Sequence, residues 1–318
     1  MDKKPLIIIA GATGVGKTEL SLKLAKELGA RIISADSVQV YKGFDIGTAK
    51  IRPDETGGIK HYLIDEIEPD GDFNIFEFQA RAKSCIDEII SERKIPMIVG
   101  GTGFYVQSVL YDIHFEDESG DRSFRRELEM MAEEGASREL YEMLKSADPK
   151  AAEQIHPNNT KRIIRALEFY HETGGPISRH NEEQKKQSSP YDFVYFVLNR
   201  DRASVYDRIN RRVDIMMEEG LEEEVRGLLD KGVSMDSPAM GGLGYKEMVS
   251  YIRGEITKER AEELIRQNTR HFAKRQLTWY RREKDVIWVN YEDFDGTDAM
   301  IGYMAGIIRE KLPLESMF

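Results

Sequence analysis

The chain has 318 residues, and 46 Lys and Arg against 57 Asp and Glu give a formal net charge of −11. Hydrophobic residues at 40% and aromatics at 9% exclude a disordered chain, and the length suffices for two domains or for one core with an insertion. The lone cysteine, Cys85, excludes an internal disulfide framework and a Cys-rich zinc site, so the expectation is a soluble protein of the cytoplasm.

The start, Met1-Asp2-Lys3-Lys4-Pro5, leads into an apolar run at 6–10. That run is about a third of a membrane helix and lacks a signal-peptide cleavage pattern, so it predicts a buried strand and no membrane partner. Residues 18–28 carry apolar side chains at 20, 22, 24, 25 and 28 and stop at Gly29, which predicts a helix with a glycine C-cap. Short strands are predicted at 31–34, 61–67 and 96–99, with an amphipathic helix at 75–90 whose apolar face includes Cys85. Short strands followed by helices imply βαβ units and a parallel sheet, whose ligands bind beyond the carboxyl ends of the strands.

From about 116 to 187 the pattern is helical and charged with no strand, and the polar stretch 181–189 predicts mobility. A strand returns at 193–198, a long helix follows from Arg202, and a last strand is predicted at 286–289. The fold expected is α/β: a parallel sheet core flanked by helices, formed by 1–115 and 190–318, with an all-helical insertion domain at 116–189.

Charge is uneven. Residues 217–224 are strongly acidic, whereas 266–284 hold Arg266, Arg270, Lys274, Arg275, Arg281, Arg282 and Lys284 against Glu283 alone. Arg266, Arg270, Lys274 and Arg281 follow near-helical steps, so they share one face, with Phe272 and Trp279 on another. Such a face fits nucleic acid, although a solvated basic face over an apolar stripe reads the same way. The six histidines, at 61, 114, 156, 171, 180 and 271, show no metal-ligand spacing.

Gly11, Ala12, Thr13, Gly14, Val15, Gly16, Lys17 and Thr18 fit G-x-x-x-x-G-K-[ST] without mismatch, after a strand and before a helix. The glycines let backbone N–H groups curl round a polyphosphate, the helix N-terminus adds partial positive charge, Lys17 adds a full one, and the Thr18 hydroxyl can hold Mg²⁺. A nucleoside-triphosphatase normally adds an acid at the end of a second strand. Here that strand ends Gly100-Gly101-Thr102-Gly103, and Asp65 is a poor substitute. Group transfer from a phosphorylated donor is therefore favoured over an ATP motor.

Asp36 ends the second strand beside the loop. It could coordinate metal or accept a proton, or be only a helix N-cap. Gly100-Gly101-Thr102-Gly103 could likewise be only a tight turn before a helix, or, at the ligand edge of the sheet, bring Thr102 to substrate.

Together these motifs resemble the tRNA dimethylallyltransferase (tRNA isopentenyltransferase) family. The carrying residues are the phosphate loop, Ile33-Ser34-Ala35-Asp36-Ser37-Val38-Gln39-Val40-Tyr41, Asp45-Ile46-Gly47-Thr48-Ala49-Lys50, Gly100-Gly101-Thr102-Gly103-Phe104-Tyr105, His156-Pro157-Asn158-Asn159, Arg162-Ile163-Ile164-Arg165-Ala166-Leu167-Glu168, Gly244-Tyr245-Lys246-Glu247, and the run from Asn268 to Trp279. They lie in family order over nearly the whole chain.

The resemblance implies a P-loop core with a helical insertion. It also implies transfer of a dimethylallyl group from dimethylallyl diphosphate to N6 of the adenosine 3′ of the anticodon, position 37. The family is often labelled ATP-binding, but by resemblance the loop holds a diphosphate leaving group. Catalytic roles implied are Asp36 as base, with Thr102 and Arg212 on the diphosphate; adjacent Arg211 reads as surface. Contacts implied to the tRNA anticodon stem-loop are Asp36, Ser37, Val38, Gln39, Thr102, Arg125, Lys161, Arg162, Arg165, Gly241, Gly244, Tyr245, Lys246, Lys274, Arg275, Trp279 and Arg281. Gly241 departs from the family's usual polar residue. Mg²⁺ is the implied cofactor, and a monomer is expected.

Overall fold

The computed structural model describes residues 3–114, 123–184, 188–312 and 314. The chain divides into two compact units, Met1–Leu110 with Pro190–Phe318, and Tyr111–Ser189.

In the first unit the order is β1 (Lys4–Gly11), α1 (Lys17–Leu28), β2 (Ala30–Ala35), β3 (His61–Tyr62), α2 (Ile75–Ser91), β4 (Ile95–Gly100) and α3 (Gly103–Leu110). The second unit holds α4 (Ser123–Glu133), α5 (Ser137–Ala147), α6 (Pro149–Gln154), α7 (Thr160–Thr173) and α8 (Ile177–Gln184), with no strand among its described residues. The first unit then resumes with β5 (Tyr191–Asn199), α9 (Arg202–Glu218), α10 (Leu221–Asp230), α11 (Tyr245–Ile252), α12 (Lys258–Tyr280), β6 (Val286–Asn290) and α13 (Thr297–Lys311).

The six strands form one parallel sheet in the order β3-β2-β4-β1-β5-β6. β1 is covered on both faces, which is why its run is continuously apolar and not alternating. Ile7, Ile9, Met97 and Phe196 pack with Leu20 and Leu24 of α1 and Met300 and Met304 of α13. Helices α2, α3 and α12 lie against the sheet strands on their own account.

From β1 the chain leaves toward β2, and from the adjacent β4 it leaves toward β5 on the other side of β1. The carboxyl ends of β1 and β4 therefore flank a topological switch point, where open α/β sheets bind ligands. A separate cluster joins α9, α10, α11 and α12 to Val40, Tyr41 and Phe44.

Two expectations change. The strand expected at 61–67 stops after Tyr62, because the backbone turns left-handed at Leu63 and again at Asp65. The stretch 181–189 is not uniformly irregular: α8 continues through Gln184, while 185–187 lie outside the described residues, as does the boundary expected between 115 and 116.

Candidate active site

The phosphate loop joins β1 to α1. Its turn needs glycine at Gly16, whose φ is +107° and where a Cβ would stand 2.7 Å from the Tyr291 hydroxyl. Donors hold the loop's carbonyls: Arg208 Nε donates to Gly14 O at 2.8 Å, Arg200 Nε to Val15 O at 3.3 Å and the Tyr291 hydroxyl to Gly16 O at 3.2 Å. Arg200 also stacks on the Tyr291 ring at 3.5 Å. The first backbone N–H groups of α1 have no intrahelical partner and Gly16 supplies no side-chain cap, which leaves them for an anion.

Two cations enter the same space. Lys17 Nζ donates to Gly11 O and Ala12 O, each at 3.0 Å. Burial, then the neighbouring Arg212 charge, lower its pKa to about 8 against the pull of Asp36. Arg212, from α9, donates to Thr13 Oγ1 at 3.4 Å, Thr48 O at 3.3 Å and Ala49 O at 3.4 Å. Burial also lowers its pKa, with Asp36 opposing. Two cations held close and short of water form a site built for negative charge.

Asp36 lies just past β2. Its Oδ1 accepts from the backbone N–H of Val38 at 2.9 Å and of Gln39 at 3.2 Å, which is an Asx-type turn and not a helix N-cap, because no helix lies between β2 and β3. These bonds orient the carboxylate without occupying Oδ2. Lys17, Thr18, Asp36, Gln39, Arg208 and Arg212 all line one cavity of about 660 Å³, whose apolar lining includes Ile32, Ile51, Ile64 and Val99. Thr102 starts the turn into α3, its N–H donating to Ala35 O at 3.3 Å and its carbonyl accepting from Tyr105 N at 3.0 Å. β4 ends without an acid, and Asp65 is ion-paired to the buried Lys50.

The residues expected at the RNA separate into groups. Ser37, Gly241, Lys246, Lys274, Arg275 and Arg281 are exposed, Val38 and Gln39 half-buried. Trp279 is half-buried, its ring edge-on to Phe104 with centroids 6.2 Å apart. In the second unit Lys161 and Arg162 are exposed, while Arg125 and Arg165 reach the buried Glu168 at 3.3 and 3.1 Å.

Tyr245 and Gly244 are held inside the fold. The Tyr245 ring is 0% exposed, packs on Phe44 with centroids 4.8 Å apart, and its hydroxyl donates to Glu224 at 2.6 Å, so its side chain is a core latch. Gly244 is buried and donates to Glu247 at 2.9 Å as the cap of α11. The basic face of α12 is also narrower than its spacing suggests. Arg266 is paired with Asp214 at 2.6 Å and Arg270 with Asn210 at 2.8 Å, both on α9.

Several site residues escape sequence reasoning. Gln276 on α12 accepts from Thr13 N–H and donates to Gly101 O, each at 2.9 Å. Its signal is a polar residue within an otherwise buried stripe of Ala273 and Tyr280. Arg208 belongs to the run 208–212 in which the resemblance implies one diphosphate arginine, with Arg212 preferred; it stands four residues before Arg212, one helical turn away. Glu224 sits in the acidic run but is no solvated surface charge: it accepts from the backbone N–H of Asp45, Ile46 and Gly47 at 3.0, 2.7 and 3.2 Å.

The family model for IPP transferase matches residues 39–283. The chain belongs to the IPP transferase family. It is 51% identical over 308 residues to a tRNA dimethylallyltransferase of Lachnoclostridium phytofermentans, covering 97% of this chain and 98% of that one. It is 49% identical to the tRNA dimethylallyltransferase of Bacillus subtilis, over 90% of each chain. Among solved structures, a tRNA isopentenylpyrophosphate transferase from Bacillus halodurans matches with a TM-score of 0.74 at 42% identity, covering 99% of this chain and 98% of that one. A eukaryotic dimethylallyltransferase acting on tRNA matches with a TM-score of 0.82 at 28% identity, covering 97% of this chain and 80% of that one. The phosphate loop and Asp36 precede the span of the family model, yet the full-length relatives extend over nearly the whole chain.

Proposed function

We propose that this member of the IPP transferase family is a tRNA dimethylallyltransferase, moving the prenyl group of dimethylallyl diphosphate to N6 of adenosine 37. The carrying observation is the convergence of Lys17 and Arg212 on one cavity with Asp36, at a sheet edge that offers a diphosphate cradle.

In the reaction the allylic C–O bond breaks and its electron pair leaves on the diphosphate. The N6 lone pair forms the new C–N bond, and the N6 proton passes to Asp36. Negative charge grows on the leaving diphosphate, so Lys17, Arg212 and the loop N–H groups bind the transition state more tightly than the ground state. Thr102, at the adjoining strand end, adds a hydroxyl. The apolar lining at Ile32, Ile51, Ile64 and Val99 suits a five-carbon branched chain.

The Thr18 hydroxyl is a hard oxygen donor at the first turn of α1, which fits Mg²⁺. That ion accepts one or two protein oxygens when phosphate and water supply the rest, and among the described residues no cluster of three acidic or histidine ligands forms. When bound, Mg²⁺ supplies neutralisation of diphosphate charge.

The adenine must leave the anticodon stack to reach Asp36, at about a few kcal/mol of unstacking. Exposed Lys274, Arg275, Arg281 and Lys246, with Lys161 and Arg162 of the second unit, supply phosphate contacts, and Trp279 a surface for stacking. Ser37, Val38 and Gln39 follow Asp36 into the loop it orients. The enzyme acts as a cytoplasmic monomer.

Labelled dimethylallyl diphosphate offered with tRNA, with free AMP, or with ATP and no RNA tests this reading. Label in tRNA supports it; label in AMP alone, or in nothing, overturns it.

A further inference from the structure

Gln276 reaches across the switch point from α12. Its Oε1 accepts from Thr13 N–H at 2.9 Å, and its Nε2 donates to Gly101 O at 2.9 Å. One primary amide therefore ties the phosphate loop after β1 to the glycine loop after β4. The side chain is 7% exposed, so neither bond is exchanged freely with water. A Cβ at Gly101 would stand 2.3 Å from Gln276 Nε2, so a side chain there would displace the amide. The neighbouring Thr13 hydroxyl accepts from Arg212, so the same tie extends to the cation on α9.

We infer that Gln276 is a positioning residue that fixes the distance between the diphosphate cradle and Thr102. The inference rests on the transfer reaction proposed above. Donor binding needs the cradle alone, with Lys17 and the loop N–H groups in place. The transition state needs the cradle, Arg212 and Thr102 together, in one geometry. Loss of the tie loosens their relative placement without removing any of them. A misplacement of about 1 Å can cost about a hundredfold in rate. The cost therefore falls on kcat and not on the donor KM.

The amide is also chemically particular, because it accepts at one end and donates at the other. Glutamate reproduces this only when protonated. As a carboxylate it sets an acceptor against Gly101 O.

The experiment measures kcat and donor KM for the parent, Gln276→Met and Gln276→Glu with an anticodon stem-loop. Each protein is checked for parent-like circular dichroism. For Gln276→Met the expectation is a kcat lower by about tenfold to a hundredfold, with donor KM within about threefold. For Gln276→Glu the ratio of its kcat to that of the parent rises as pH falls from 8 to 6. A Gln276→Met enzyme with parent kcat, or with only its KM raised, overturns the positioning role alone. If Gln276→Met does not fold, the pH profile of Gln276→Glu decides, and a flat ratio overturns the role. A parent that transfers no label overturns the reaction assignment and the inference with it.

Discussion

Lys17 donates to Gly11 O at 3.0 Å, so the ammonium folds back onto the strand end that carries its own loop. Its pKa there is lowered to about 8, first by burial and then by Arg212. A bound diphosphate favours the protonated form and raises that value. Affinity for inorganic diphosphate is therefore level up to about pH 8 and weakens above it, by up to about tenfold per pH unit. Calorimetric titration between pH 7 and 10 checks this. Lys17→Ala binds more weakly and loses the step near pH 8; a step that persists in Lys17→Ala contradicts the assignment.

Arg212 spans three acceptors, Thr13 Oγ1, Thr48 O and Ala49 O, which a planar guanidinium can reach and an ammonium cannot. Arg212→Lys keeps the charge but not the fork. Its kcat should fall by about a hundredfold to a thousandfold, the usual cost of a lost transition-state donor. Steady-state kinetics against the anticodon stem-loop checks it.

Tyr245 serves the fold. Its hydroxyl bond to Glu224 is 2.6 Å long, and Glu224 in turn holds the backbone of residues 45–47. Tyr245→Phe should lose about 1.5–3 kcal/mol of stability, as for a hydrogen bond to a charged group. Urea unfolding reads that loss, and tRNA affinity should stay at the parent level.

The basic helix makes a paired prediction. Lys274 is exposed, whereas Arg266 is held by Asp214 at 2.6 Å. Lys274→Ala should weaken tRNA binding and lower the slope of log affinity against log salt by about one phosphate contact. Arg266→Ala should leave that slope near the parent value. Filter binding over a salt series distinguishes them.

The sheet and its ligand edge were legible because they follow from local signals. Apolar runs marked β1, β4 and β5, Gly29 marked the end of α1, and the loop motif fell at the predicted strand-to-helix junction. Arg211 and Arg212 both line the cavity, Arg212 half-buried and Arg211 exposed, so adjacency in sequence does not separate a site residue from a surface one. What periodicity could not reveal were long-range partnerships. Gln276 lies 263 residues from Thr13, Tyr291 lies 275 from Gly16, and Glu224 reaches a loop 177 residues away. Each is a polar side chain whose role depends on what folding brings opposite it. Tyr245 is the same case: its motif marks importance, and only packing shows that the ring faces the core.

The most direct test uses Asp36→Ala with dimethylallyl diphosphate and an anticodon stem-loop, measuring single-turnover transfer beside diphosphate affinity. The account predicts transfer slowed by about 10²–10⁴-fold with affinity for diphosphate retained. Transfer at the parent rate would contradict it.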